Sequence, residues 1–257
     1  MPSWDPAIYE RYKLYRQRPA LDLLVKIPSD LEPREIWDLG CGAGEHAAVL
    51  AARHPSARVH GLDSSPEMLA VARRRPAEVD WVLGDVADFK PDIAPDLIFT
   101  NAALQWLPDH AALFPKLVSA LAPGGVFACQ MPLSWKSVWH AALHETAADP
   151  HWAAQLKGVG RLRPVAEAED YYGWLAPLCE EVDIWSTTYL HVLEGDDPVV
   201  EWMMGSGMRP YLDALTDPVQ RGAFIDLYRD KVAVAVPARP DGTTLFPFPR
   251  FFILARR

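Results

Sequence analysis

Four polar residues, each set directly after a short apolar run, carry the chemistry this sequence offers: Asp38, Asp63, Asp85 and Asn101. The first opens Asp38-Leu39-Gly40-Cys41-Gly42-Ala43-Gly44, which follows a strand pattern and precedes a helical one. Glycines in such a loop let the backbone turn sharply and come close to a ligand at a helix N-terminus. The dinucleotide fingerprint is the main rival reading, and it wants a glycine three positions after the second one. Glu45 stands there instead. A carboxylate at a helix N-terminus is badly placed for a pyrophosphate, but it tolerates a ligand whose nearby part is neutral or cationic. Taken alone, the loop also fits a tight strand-to-helix turn that holds nothing.

Asp63 closes the second apolar run in Gly61-Leu62-Asp63-Ser64-Ser65-Pro66. An ionised carboxylate accepts two hydroxyls at once, which suits a ribose. The alternative is a helix N-cap, a role that Ser64 and Ser65 also suit. Asp85 lies in Gly84-Asp85-Val86 after the third run, as a ligand contact or as a plain turn aspartate. Asn101 ends the fourth in Thr100-Asn101-Ala102. Ligands of open α/β sheets sit outside the carboxyl ends of the strands. All four residues fall at such ends in chain order, and that shared register makes them one site rather than four turns.

The elements that must position them are legible as βαβ units. Strands are expected over 36–39, 58–62, 81–83, 97–100 and 126–131, with helices over 45–53, 66–75 and 113–121. Residues 133–179 read as helical, 182–192 as a long strand, and 197–235 as two helices split near Gly205 to Gly207 and again near Thr216-Asp217-Pro218. The chain ends in a strand over 245–255, and Pro247 and Pro249 place its start at a sheet edge or bulge. The expectation is an α/β doubly wound, mostly parallel seven-stranded sheet, Rossmann-like, in a single domain over 1–257. Helical cap insertions at 133–179 and 196–241 precede the last two strands.

Composition narrows the function classes. With 25 Lys and Arg against 34 Asp and Glu, the formal net charge is −9, which repels phosphate backbones and argues against nucleic acid as partner. Cys41, Cys129 and Cys179 are widely spaced with no CxxC pair, which fits a reducing compartment better than a disulfide framework or a zinc site. The N-terminus has no basic start followed by an apolar run, and no segment reaches the roughly 18 apolar residues a membrane span needs. A cytoplasmic location and no membrane partner are expected. Oligomeric state is not readable from the sequence.

The acidic residue followed by Gly-x-Gly-x-Gly resembles the first motif of the class I S-adenosylmethionine (SAM)-dependent methyltransferases. Longer stretches are similar to the bacterial trans-aconitate 2-methyltransferases. They include Asp63-Ser64-Ser65-Pro66-Glu67-Met68, the run from Asn101 through Gln105-Trp106 to His110, and Gln130-Met131-Pro132. Further along, Val182-Asp183-Ile184-Trp185, Gly207-Met208-Arg209-Pro210 and Phe248-Pro249-Arg250-Phe251-Phe252 match as well. The resemblance runs from Trp4 to the C-terminus. It implies monomethyl esterification of one carboxylate of trans-aconitate, with SAM as cofactor and S-adenosylhomocysteine as product. It also implies a cofactor site of Asp38, Gly40, Gly42, Gly44, Asp63, Ser64, Met68, Asp85, Val86, Asn101 and Trp106, with Asp85 or its neighbour's backbone meeting the adenine amino group. One stretch departs: after Pro132 the family usually carries polar residues, whereas this chain reads Leu133-Ser134-Trp135-Lys136-Ser137-Val138-Trp139-His140. A different small acid, hydroxyl or carbon acceptor therefore stays open, as does a SAM-binding protein without turnover.

A carboxylate acceptor, with a pKa of roughly 3 to 5, is already ionised at neutral pH, so no catalytic residue is expected beyond those that position it. Well-oriented reactants gain about 7–11 kcal/mol from placement alone. Recognition of a polyacid calls for Arg forks, and the candidates are Arg18, Arg209 and Arg250, each beside a proline. At least two of them should converge. Arg18 has a second candidate role against the cofactor's own carboxylate, and all three also fit ordinary solvated arginines. Arg73, Arg74, Arg75, Arg161 and Arg163 read as solvated. Trp106 reads as a wall of the site or as core, and Trp202, Met203 and Met204 as cap core. His140 and His144 stand four apart on a helix, but HExxH and a third ligand are missing, so helix packing or a pocket donor is expected and no metal.

Overall fold

The computed structural model describes residues 13–160 and 165–257. Residues 1–12, Arg161 and Arg163 lie outside the described residues. Five strands follow the βαβ pattern: β1 (Glu35–Leu39), β2 (Arg58–Asp63), β3 (Asp80–Leu83), β4 (Leu97–Asn101) and β5 (Val126–Pro132). Two long strands, β6 (Glu181–Glu194) and β7 (Thr243–Arg256), complete a seven-stranded sheet of order β3-β2-β1-β4-β5-β7-β6. The helices are α1 (Lys13–Lys26), α2 (Glu45–Arg53), α3 (Pro66–Ala72), α4 (His110–Ser119), α5 (Val138–Ala147), α6 (Ala168–Leu175), α7 (Pro198–Met204), α8 (Arg209–Ala214) and α9 (Pro218–Ala235).

Strands β1 to β5 pair in parallel, and their register sets the site: Leu39 is opposite Leu62, Asp63 opposite Leu83, and Asn101 opposite Gln130. Strand β7 runs antiparallel to β5. Arg257 N–H donates to Gly125 O, and Leu133 N–H to Pro249 O, on one antiparallel register. In the order β7 has a strand on each side, but its start, with Pro247, runs past the end of β5. Pro249 takes part there only as an acceptor, its O receiving Leu133 N–H just after β5, so its missing N–H costs no bond at that pair. The structure also differs in α1, a helix with Pro19 inside it, and in resolving 197–235 into three helices. The breaks expected near Gly205 and Asp217 are both present. Asp217 caps α9 by accepting from Val219 N–H.

The chain divides into two compact units. One comprises Pro19–Pro132, Arg163–Ser186 and Phe251–Arg257. Its core is apolar side chains of the parallel strands, with Ile36, Leu39, Ile98, Phe99 and Phe127 fully buried. Burial on both faces is what makes these strands read as continuous apolar runs. The other comprises the chain up to Arg18, Leu133–Leu162 and Thr187–Arg250. Its core is aromatic: Trp139, Trp202, Phe224, Tyr228 and Phe246 are buried together. Here Tyr228 donates its hydroxyl to Trp139 O, and Trp139 donates Nε1–H to Pro247 O. Trp202 and Met203 belong to this core as expected, whereas Met204 turns outward. No helix among the described residues is long and apolar enough to cross a membrane.

Candidate functional site

The glycine loop is held from below and open above. Gly40 and Cys41 donate their N–H groups to Leu62 O, and Gly42 donates to Asp63 Oδ2 at 2.8 Å. All three glycines adopt positive φ, between 55° and 77°, a region other L residues rarely enter. Their surroundings differ. A Cβ on Gly40 would fall 2.3 Å from Ala103 Cβ, and one on Gly44 would fall 2.3 Å from the Trp81 ring. A Cβ on Gly42 would meet nothing within 4 Å among the described residues. Gly40 and Gly44 are therefore needed for packing, while Gly42 keeps one side of the loop clear. Arg75 closes the back: it donates Nε–H to Ala43 O and pairs with Glu45 at 3.1 Å. That corrects its reading as a solvated arginine. Helix α3 ends at Ala72, three residues earlier than expected, and the turn that follows carries Arg75 back to the loop. Glu45 is thus held both by Arg75 and by the N-terminal end of α2, which favours a carboxylate.

Asp63 sits half-buried at the end of β2 with both oxygens engaged by backbone, Oδ2 by Gly42 and Oδ1 by Ser65 N–H at 2.9 Å. Each oxygen keeps a second lone pair for a ligand hydroxyl. The cap of α3 is Ser65, whose Oγ accepts from Met68 N–H, so Ser64 and Met68 are left exposed beside Asp63. Asp85 is exposed and caps a short 3-10 turn over 86–88 by accepting from Ala87 N–H, while Val86 is buried. Trp106 is 58% exposed, which removes the core-packing alternative.

The electrostatics point to a ligand. Asp38 is 1% exposed, its Oδ2 has no hydrogen-bond partner, and burial pushes its carboxyl up to about 7 with the Asp63 charge adding to the shift. Buried polar atoms are almost always paired in native proteins. Yet Asn101 Oδ1, Gln105 Oε1, Thr100 Oγ1 and both amide atoms of Gln130 are also unpartnered among the described residues. These atoms belong to the carboxyl ends of β4 and β5 and the turn after β4. There Ala102 takes a positive φ of 52° and donates its N–H to Gln130 O. Asp38, Asp63, Asn101 and Gln130 thus present donors and acceptors from four adjacent strand ends, with a clear glycine between them. Gln105 and Gln130 were not foreseen, although the strand-end rule that selected Asn101 applies equally to Gln130. The donor set fits an uncharged or cationic nucleoside-like ligand: a carboxylate for a diol, a buried acid for a positive group, and amides for a base or an amino acid. Cys41, within the loop, is a buried free thiol whose ionisation is strongly suppressed by burial.

The arginine candidates divide. Arg18 Cζ lies 5.2 Å from the centre of the Tyr189 ring, and Arg250 Cζ lies 4.3 Å from that of Phe248. Both act on His191, whose ring neighbours include Tyr189 and Phe248. Arg18 is exposed and Arg250 is 6% exposed. Arg209 is exposed at the start of α8 and faces Asp213 at 3.7 Å. The structure thus brings Arg18 and Arg250 to one aromatic patch. His144 is exposed, with Nδ1 3.5 Å from the Tyr211 hydroxyl, and its ring meets that of His140 edge-on at 4.7 Å. His140 is buried with Nδ1 unpartnered, and burial with the neighbouring His144 pushes it down to about 4. No cluster of three or more metal-ligating side chains occurs among the described residues. Trp139, from the departing segment, stacks on Phe248 at 5.2 Å.

The family model described as "Methyltransferase domain" matches residues 36–125. A trans-aconitate 2-methyltransferase of Methylobacterium radiotolerans is 45% identical, covering 100% of this chain and 99% of that protein. One of Streptomyces coelicolor is 43% identical over 100% of this chain and 87% of its own. Among solved structures, the YcgJ protein of Bacillus subtilis superposes with a TM-score of 0.59 at 16% identity, covering 93% of this chain and 98% of that one. At that identity the likeness shows the fold alone.

Proposed function

The chain belongs to the trans-aconitate 2-methyltransferase family of methyltransferases, and from that premise we propose that it esterifies one carboxylate of trans-aconitate with the methyl group of SAM. When bound, SAM supplies an electrophilic methyl group on a sulfonium. The observation that carries the cofactor half of this reading is the row of unmatched buried polar atoms from Asp38 to Gln130 beside the open face of Gly42. Asp63 takes the ribose hydroxyls with its remaining lone pairs. Asp38 answers positive charge from a site dry enough to suppress its own ionisation. Trp106 and Met68 offer apolar surface, and Ser64, Asp85 and the backbone at Val86 offer polar contacts at the rim.

The acceptor half rests on Arg18 and Arg250. A polyanion approaching a chain of net charge −9 needs focused positive charge, and Arg forks hold carboxylates bidentately. No base is required, because the attacking carboxylate is already ionised at neutral pH. The work left to the protein is to exclude water and to fix one carboxylate oxygen. Helices α5 and α7 to α9, in the same unit as Arg18 and Arg250, serve this reading as the acceptor's cap, whereas α6 from the expected 133–179 insertion belongs with the parallel strands.

The experiment is a transfer assay with methyl-labelled SAM over trans-aconitate, cis-aconitate, citrate and isocitrate, with the ester identified by mass spectrometry. A monomethyl ester of trans-aconitate, formed in preference to the others, is expected. A second reading, a different and less polar acid, is favoured by one feature only: Leu133 to His140 replaces polar residues, and its Trp139 stacks on Phe248, the ring beneath Arg250. Preference for a monocarboxylate in the same screen would select it.

A further inference from the structure

His191 has no task in the reading above. It lies on β6 in the alternation Tyr189, His191, Leu193, whose side chains are buried in turn. It is 3% exposed, and its Nε2 has no hydrogen-bond partner among the described residues. The rings of Tyr15, Tyr189, Trp202 and Phe248 surround it at 4.6, 6.4, 5.3 and 6.0 Å between centroids. Two of those rings each carry a guanidinium, Tyr189 that of Arg18 and Phe248 that of Arg250. Among the described residues, the charged and titratable groups facing His191 are Tyr15 and Arg18 from α1, Tyr189 from its own strand and Arg250 from β7. Helix α7 faces it with Trp202.

Among the described residues no carboxylate acts on this imidazole, which keeps an unmatched nitrogen and feels two guanidinium charges. We propose that His191 is a third recognition group for the acceptor, its Nε2 holding a carboxylate of the same polyacid that Arg18 and Arg250 engage, and that the ring takes up a proton from solvent as that acid binds. This rests on the polyacid reading given under the proposed function. Without the acid, burial and the two guanidinium charges push the ring down to about 4, so it is neutral at working pH. An arriving polyanion cancels the cationic field and adds an opposite charge in a low-dielectric setting, which favours the protonated ring. Only a proton moves, from buffer to imidazole, and no other bond changes. The residue would select for acids with a carboxylate beyond the two that the arginines hold.

The test is calorimetric. Trans-aconitate is titrated into the protein saturated with S-adenosylhomocysteine, near pH 6, in buffers of different ionisation enthalpy. Wild type should show buffer-dependent heats corresponding to net proton uptake. His191→Phe should abolish the uptake and raise the acceptor KM about tenfold, the size of one lost charged hydrogen bond, with the KM for SAM unmoved. His191→Gln keeps a neutral hydrogen-bonding group and should recover part of the affinity without the proton. If His191→Phe does not fold, His191→Gln alone decides through the proton count. Unchanged uptake and KM in the variants, with wild type methylating trans-aconitate, overturns the role of His191 and leaves the function intact. If another polycarboxylate proves to be the acceptor, the same titration with that acid decides. If no polycarboxylate binds, both readings fall together.

Discussion

Gly42 donates its backbone N–H to Asp63 Oδ2 at 2.8 Å, so the residue that keeps the glycine loop clear and the residue offered to a ribose are bonded to each other. Asp63 also holds Ser65 N–H. Removing its carboxylate therefore acts twice, on the ligand and on the loop.

Asp63→Ala should weaken SAM binding by roughly 1.5–3 kcal/mol for each charged hydrogen bond lost, and should also lower the unfolding midpoint of the ligand-free protein. Asp63→Asn, which retains one carbonyl oxygen, should lose less stability than affinity. Calorimetry showing SAM affinity unchanged in both variants would remove Asp63 from the site.

The glycines should separate packing from access. Gly44→Ala drives a methyl into the Trp81 ring and should destabilise the fold, while Gly42→Ala meets no atom among the described residues and pays only for its positive φ at about 1 kcal/mol. Gly42→Ala should nonetheless lose SAM affinity because it fills the open face. A Gly42→Ala protein that binds SAM normally means that the ligand does not approach there.

Asp38 predicts a pH dependence. With its carboxyl near 7, the folded ligand-free chain keeps a proton that the unfolded chain releases above the ordinary carboxylate range. Stability should fall as pH rises from about 4 to 7 and level off above that. A positive ligand group favours the ionised acid, so SAM affinity should rise over the same window, approaching tenfold per pH unit at its steepest. Asp38→Asn should flatten both curves. A wild-type affinity independent of pH between 5 and 8 would argue that no cation meets Asp38.

Arg250→Met keeps the apolar stem and removes the fork. The acceptor KM should rise at least about tenfold while the KM for SAM moves little. Arg18→Met should act in the same direction. Arg209→Met, at an exposed position beside Asp213, should change the acceptor KM less than about twofold. Equal effects at all three positions would contradict the division seen here.

Much of the proposed cofactor side is legible because strand ends are marked in sequence: an apolar run stops, and the residue that stops it lies at the carboxyl end of the strand. Asp63 and Asn101 follow that rule, whereas Gln130 is hidden because Met131 and Pro132 prolong its run. Arg75 was misread for a different reason. Its place depends on where α3 ends, and helix ends are the part of a pattern least fixed by periodicity. His191 was invisible because a histidine in an alternating strand carries no mark of which face it takes. Only the aromatic groups brought by α1, α7 and β7 give it a setting.

The thiol of Cys41 lies in the middle of the glycine loop, buried against Gly61, where a Cβ would come within 3.0 Å of its sulfur. A buried thiol with suppressed ionisation reacts with alkylating reagents only when its cover opens. Cys41 is thus a built-in chemical clock for the loop. Its labelling rate, read by peptide mass against that of half-buried Cys179, measures how often the turn between β1 and α2 comes apart, and a ligand seated on that turn slows the clock.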